Sequence, residues 1–132
     1  MDRPLDAPEQ AVIDATEPRD DRVNLWLDDK KDPRLAGMFG LEDEGPWEWV
    51  TTSQDAKLWL AAGLVKTLAI DNDLGMLSDQ DGRDVLHWLL ERVLDGGRAP
   101  EKMFGISFNP VASDELAATI NDIKRVLKLK EV

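Results

Sequence analysis

The chain contains no cysteine, so disulfide bonds, thiolate zinc sites and a cysteine nucleophile are all excluded. Histidine is nearly absent as well: His87 is the only one, and it sits one residue off the apolar stripe of a helical segment, as a boundary residue does. No stretch approaches the roughly eighteen consecutive apolar residues that a membrane span needs, and no apolar signal region opens the sequence. Cations are in short supply too. Sixteen Lys and Arg face 27 Asp and Glu over 132 residues, a net charge of −11. Such a field repels nucleic-acid backbones and anionic membranes, and it favours metal ions, basic protein surfaces or plain solubility. These absences together point to a cytoplasmic protein with neither a membrane partner nor direct contact with a nucleic-acid backbone.

What remains divides into two parts. Residues 1–21 hold Pro4, Pro8 and Pro18 among many acids and read as a flexible, acidic N-terminal arm. From residue 22 to 132 the pattern is that of one compact domain. Val23 to Leu27 is a first strand. A Gly- and Pro-rich stretch from Lys30 to Pro46 leaves room for a short helix around Leu35 to Phe39. Trp47, Trp49 and Thr51 alternate with Glu48 and Val50, as in a short strand near an edge.

Ser53 is placed to cap a helix of about nine residues that stops at Gly63. Leu64 to Ile70 forms a further strand. Asp81 or the residues beside it open a longer helix with Val85, Leu86, Trp88, Leu89, Val93 and Leu94 on one face, ending at Gly96-Gly97. Met103 to Ser107 is a fourth strand, and Ser113 caps a last helix bearing Leu116, Ile120, Ile123, Val126 and Leu127. Lys124, Arg125, Lys128 and Lys130 near its end suit the helix dipole. The five tryptophans fall largely on core positions of these elements. This order predicts an α/β fold: a small three-layer, mainly parallel sheet of about four strands with helices on both faces, a truncated receiver or flavodoxin arrangement.

Two of the apolar runs end in paired carboxylates. VNLWLDD closes on Asp28 and Asp29; TLAIDNDLG carries Asp71 and Asp73. Either pair alone would do no more than open a polar loop. Two pairs at strand ends that flank the switch point of a parallel sheet should converge, with Asp28 or Asp29 within about 8 Å of Asp71 between carboxylate carbons. Carboxylates a few ångströms apart repel by roughly 4 kcal/mol at an effective dielectric of about 20, so such a cluster calls for a cation or a shared proton.

An acid pair after strand one, an Asp after strand three and a hydroxyl after strand four resemble the layout of response-regulator receiver domains. The details are closer to a divergent branch, the cyclic-phosphate processing receiver domains. The resemblance rests on LWLDD (25–29), WEWVTT (47–52), AIDNDLG (69–75), GRDVLHWL (82–89) and ISFNPV (106–111), and spans roughly residues 22–128. It implies that Asp28, Asp29, Asp71 and Asp73 form a Mg²⁺ site, with some in direct contact and others behind, since Mg²⁺ takes only one or two protein carboxylates. It implies that Ser107 and Asn109 hydrogen-bond phosphate oxygens. Arg83, between Gly82 and Asp84, is the cation placed to meet the same phosphate.

Two residues depart from the family pattern. Asn72 and Ile106 stand where histidines are usual, and histidine is the natural general acid or base for opening a cyclic phosphodiester. The expected function is therefore recognition of a phosphate or cyclic-phosphate ligand in an acidic, Mg²⁺-binding crevice, with weak or lost hydrolysis. For any hydrolysis that survives, a metal-bound water is the best candidate nucleophile, since no Cys or pocket His is available. A catalytically silent acidic protein that docks a basic partner is the alternative from another class. A phosphoacceptor receiver using Asp71 is a third, weakened because no Lys follows a fifth strand.

Overall fold

In a computed structural model, residues 21–130 are described; the expected arm, Asp21 apart, lies outside them, as do the last two residues of the expected domain. Four strands make one all-parallel sheet: β1 (Val23–Leu27), β2 (Trp47–Val50), β3 (Val65–Ile70) and β4 (Lys102–Gly105), in the order β2-β1-β3-β4. Three α-helices follow in the chain, α1 (Ser53–Ala61), α2 (Gly82–Leu94) and α3 (Pro110–Lys130). The connection from β1 to β2 carries a 3₁₀ helix, Pro33–Phe39, capped by Asp32. The fold is the receiver-like α/β class that the sequence predicts, with four strands among the described residues.

Chain direction decides how the faces are covered. From β1 the chain steps to one side to make β2, then crosses back over β1 to β3 and on to β4. Right-handed crossovers therefore send the first connection over one face and the next two over the other. Leu25, Leu27, Leu68, Ile70 and Val50 meet Ala56 and Leu60 of α1, Val85, Leu86, Leu89 and Val93 of α2, and Leu116, Ile120 and Ile123 of α3 in one buried cluster. The opposite face holds Trp26 and Ala69, covered by Ala36, Leu41, Ile106 and the half-buried Phe39, Trp47 and Phe104. Helices do lie on both faces, but all three α-helices share one of them and the 3₁₀ helix has the other.

Element ends differ from the sequence reading in small ways with clear causes. Thr52, not Ser53, caps α1, because Thr52 is the residue in extended conformation and its side chain accepts from Asp55 N. The last helix begins at Pro110, well before Ser113. Asn109 Oδ1 accepts from Val111 N at 2.9 Å and Ala112 N at 3.3 Å, and proline loses no hydrogen bond in a first turn. Of the residues expected near the start of α2, Asp81 is the one that caps it, reinforced by a reciprocal bond from Asp81 N to the Asp84 carboxylate. Among the tryptophans, Trp26 is fully buried whereas Trp49 is 42% exposed.

Candidate functional site

The parallel register of β1 and β3 continues one residue beyond each strand. Leu27 pairs with Ile70, and Asp71 N then donates to Leu27 O at 2.9 Å. On the other side Asp28 N donates to Val50 O at 3.2 Å. Asp28 and Asp71 are thereby set side by side at the carboxyl end of the sheet, where open α/β folds hold their ligands. One carboxylate oxygen from each of Asp28, Asp29 and Asp71 lies within 4.8 Å of the others. The expected approach of Asp28 and Asp29 to Asp71 is met, and Asp73 does not join them.

Asp28 is completely buried. Its Oδ1 accepts from Lys30 N at 2.9 Å and Lys31 N at 3.2 Å, which closes a tight turn directly after the strand. Its Oδ2 receives no hydrogen bond, and neither does the buried Oδ1 of Asp29. Two tryptophans hold the turn from outside the acids: Trp26 Nε1 donates to Lys31 O and Trp49 Nε1 to Asp28 O, both at 2.8 Å. Burial pushes the Asp71 carboxyl above the usual carboxylate range, and the neighbouring Asp28 charge pushes it the same way. Lys31 pulls it back by less.

Lys31 is the residue that sequence reasoning missed. Its Nζ lies 2.7 Å from Asp28 Oδ2 and 3.5 Å from Asp71 Oδ2, with the side chain only 15% exposed. The same ammonium stands 5.2 Å from the centre of the Phe108 ring, which stacks on Phe39. The signal available was the Asp-x-x-Lys spacing in DDKK: a turn capped by the first Asp returns the lysine to it.

Two glycines of the motifs exist to let the acids approach. A Cβ on Gly82 would come within 1.9 Å of the Asp71 carbonyl oxygen, which no side chain tolerates. A Cβ on Gly75 would meet Asp29 Oδ2 at 2.5 Å, and Gly75 has φ of +72°, a left-handed conformation that favours glycine.

The remaining sequence-predicted residues stand apart from this group. Asp73 is exposed, and its Oδ1 accepts from Gly75 N at 3.1 Å, so it shapes the loop rather than joining the three acids. Arg83 forms an ion pair with Glu115 on α3. Ser107 Oγ accepts from Asn109 N at 3.1 Å, and Asn109 caps α3 as described, so both side-chain oxygens already serve the turn before that helix. His87 is exposed on α2.

The two substituted histidine positions also have structural occupations. Asn72 Oδ1 accepts from Arg83 N at 3.0 Å and so satisfies one of the free donors at the start of α2. Ile106 is fully buried in the cluster that holds Trp26, Ala36, Leu41 and Ala69.

Sheet order, right-handed crossovers and acids at the carboxyl ends of β1 and β3 define a receiver-like domain. The chain belongs to the cyclic-phosphate processing receiver domains, whose family profile matches residues 23–122. No curated protein is similar enough to match it. Among the described residues, no helix is long and apolar enough to cross a membrane.

Proposed function

We propose that this domain holds Mg²⁺ between Asp28, Asp29 and Asp71 and recognises a phosphate or cyclic-phosphate ligand there, with little or no hydrolysis. One observation supports the cation above all others: the buried Oδ1 of Asp29 accepts no hydrogen bond, and Asp28 Oδ2 beside it accepts none either and is balanced by the Lys31 ammonium alone. A buried acceptor is costly when left unbonded, and a divalent cation would satisfy Asp29 Oδ1, which the single charge of Lys31 does not reach. The donor set fits the ion, since hard carboxylate oxygens are what Mg²⁺ prefers. Bound there, the ion would neutralise phosphate charge and polarise a phosphoryl oxygen.

The proton-transfer side is where the reading turns from enzyme to binder. Asn72 is committed to the start of α2 and Ile106 to the core. Neither position offers a group that titrates near neutrality, and general acids and bases typically contribute about 10²–10⁴-fold each. Ser107 keeps a hydroxyl proton and Asn109 an amide N–H₂ to offer a phosphate, in addition to the bonds their oxygens accept. Asp73 and Arg83 would need to leave their present partners to take part.

The test combines binding and turnover. Mg²⁺ should raise the melting temperature by mass action, and Asp71→Asn should remove most of that gain. Purified protein should bind a nucleotide phosphate weakly and hydrolyse 2′,3′-cyclic nucleotides slowly or not at all. Robust Mg²⁺-dependent turnover overturns the weakened-enzyme reading. Failure to bind any phosphate compound would favour the acidic interaction protein.

A further inference from the structure

The acid cluster already contains a positive charge, and its placement has a consequence for any ion that enters. Asp28 has two oxygens. Oδ1 is taken by the amides of Lys30 and Lys31, and Oδ2 receives no hydrogen bond but meets the Lys31 ammonium at 2.7 Å. A divalent ion bound by this cluster needs that same Oδ2, at roughly 2.1 Å for Mg²⁺. An ammonium and a dication on one oxygen would be a few ångströms apart in a largely buried site, where like charges repel strongly.

We propose that Lys31 is the resident cation of the cluster, and that a divalent ion enters Asp28–Asp29–Asp71 only by displacing its side chain. This rests on the proposed reading that the three acids take such an ion. Displacement needs no movement of the backbone. Lys31 N is held by Asp28 Oδ1 and Lys31 O by Trp26 Nε1, so the residue stays in place while its four-carbon stem turns. A destination is at hand, since Phe108 is 60% exposed and its ring already lies 5.2 Å from Nζ. Over the outer part of that ring the ammonium regains water while keeping a cation–π contact. Incomplete compensation makes the exchange favourable: Lys31 contacts Asp28 and Asp71 but leaves Asp29 Oδ1 without a partner. The affinity for divalent ions is then set as much by Lys31 as by the acids.

Two measurements test this. The first compares Mg²⁺ and Mn²⁺ titrations of the intact chain and of Lys31→Met, which keeps the length of the stem and removes the charge. Tryptophan fluorescence reports binding, because Trp26 and Trp49 hydrogen-bond to the carbonyls of residues 31 and 28. Lys31→Met should bind both metals about tenfold or more tightly. Equal affinities would overturn the displacement while leaving the metal site itself standing. Binding of neither metal to either protein would remove both.

The second measurement uses the unmodified chain, so it does not depend on the variant folding. Reductive methylation of Lys31, followed by mass spectrometry, should speed up severalfold when Mg²⁺ is added, as the ammonium leaves its carboxylates. Protection of Lys31 by Mg²⁺, or no change, would overturn the proposal.

Discussion

The two faces of the sheet are built in different ways from alternating residues of the same strands. Leu25, Leu27, Leu68 and Ile70 point to one side and meet three α-helices. Trp26 and Ala69, their neighbours in sequence, point to the other and meet a 3₁₀ helix and its flanking loop. The buried part of the first side is filled by aliphatic side chains and Met103, with the half-buried Trp59 and Trp88 packed against it. The second depends on one large aromatic: Trp26 meets Phe39 and Trp47 edge to face, with centroids 6.3 and 5.3 Å away, beside the small Ala69. A thin cover is enough because an indole spans a depth that several aliphatic residues would otherwise fill. The difference teaches a division of labour. The helical face holds the domain together, while the thin face holds the site, since Trp26 and Trp49 hydrogen-bond the turn that carries Asp28, Asp29 and Lys31.

The sharpest way to break that division is to damage the helical face and look for an effect on the site. Leu86 on α2 is fully buried in the larger cluster. Leu86→Ala should cost about 2–5 kcal/mol in urea unfolding, because the cavity it leaves between α2 and the sheet cannot collapse fully. The folded variant should keep its fluorescence response to Mg²⁺ unchanged. A lost response would mean that the helical face also positions the acids.

A somewhat smaller loss is expected on the thin face, and this one should reach the site. Ile106 is fully buried in the same apolar cluster as Trp26, and Ile106→His puts a polar ring into that cluster. Lost packing and an unbonded imidazole nitrogen should together cost about 2–4 kcal/mol. The tryptophan emission should shift, since Trp26 belongs to the cluster that must rearrange. Restoring the family's histidine at this position is thus expected to loosen the domain before it can add a proton-transfer group. A variant as stable as the original, with unchanged emission, would show that the thin face tolerates a polar group and is not a packed layer.

How much of this was legible in the sequence follows from the range of the forces involved. β1 and β3 were readable because buried parallel strands are short and mainly apolar, and VNLWL and VKTLAI keep that pattern with only Asn24, Lys66 and Thr67 against it. The convergence of Asp28 with Asp71 followed from chain direction, since both acids lie one step past strands that neighbour each other. Asp81 announced α2 through its capping position. Lys31 was not legible by periodicity, because it belongs to a turn whose hydrogen bonds to Asp28 Oδ1 decide where its side chain returns. Asp73 was readable as an acid but not as one whose carboxylate binds its own loop at Gly75 N. Arg83 similarly reached across to α3 and Glu115, a contact that depends on how two helices pack. Local geometry and helix packing, rather than composition, separate the three acids that meet from the residues that stand aside.

The smallest expected effect lies at the seam between the faces and depends on pH. Asp71 is 7% exposed, and burial together with the Asp28 charge raises its carboxyl above the ordinary value. The folded chain therefore keeps this proton to higher pH than the unfolded chain does. Within that window the folded state binds more protons, so stability falls as pH rises from near 3.8, the ordinary value, through the raised one. Each unit of such a shift corresponds to about 1.4 kcal/mol. Asp71→Asn removes the titration, although it also takes from Lys31 its weaker partner at 3.5 Å. Without divalent metal, the melting temperature of Asp71→Asn relative to the unmodified chain should therefore rise between pH 3.5 and pH 7. Below the window both forms of the unmodified chain carry the proton and the difference should level off. A relative melting temperature that falls with pH would mean that the attraction of Lys31 for Asp71 outweighs burial, and that the seam is held by that ion pair rather than strained by the charges around it.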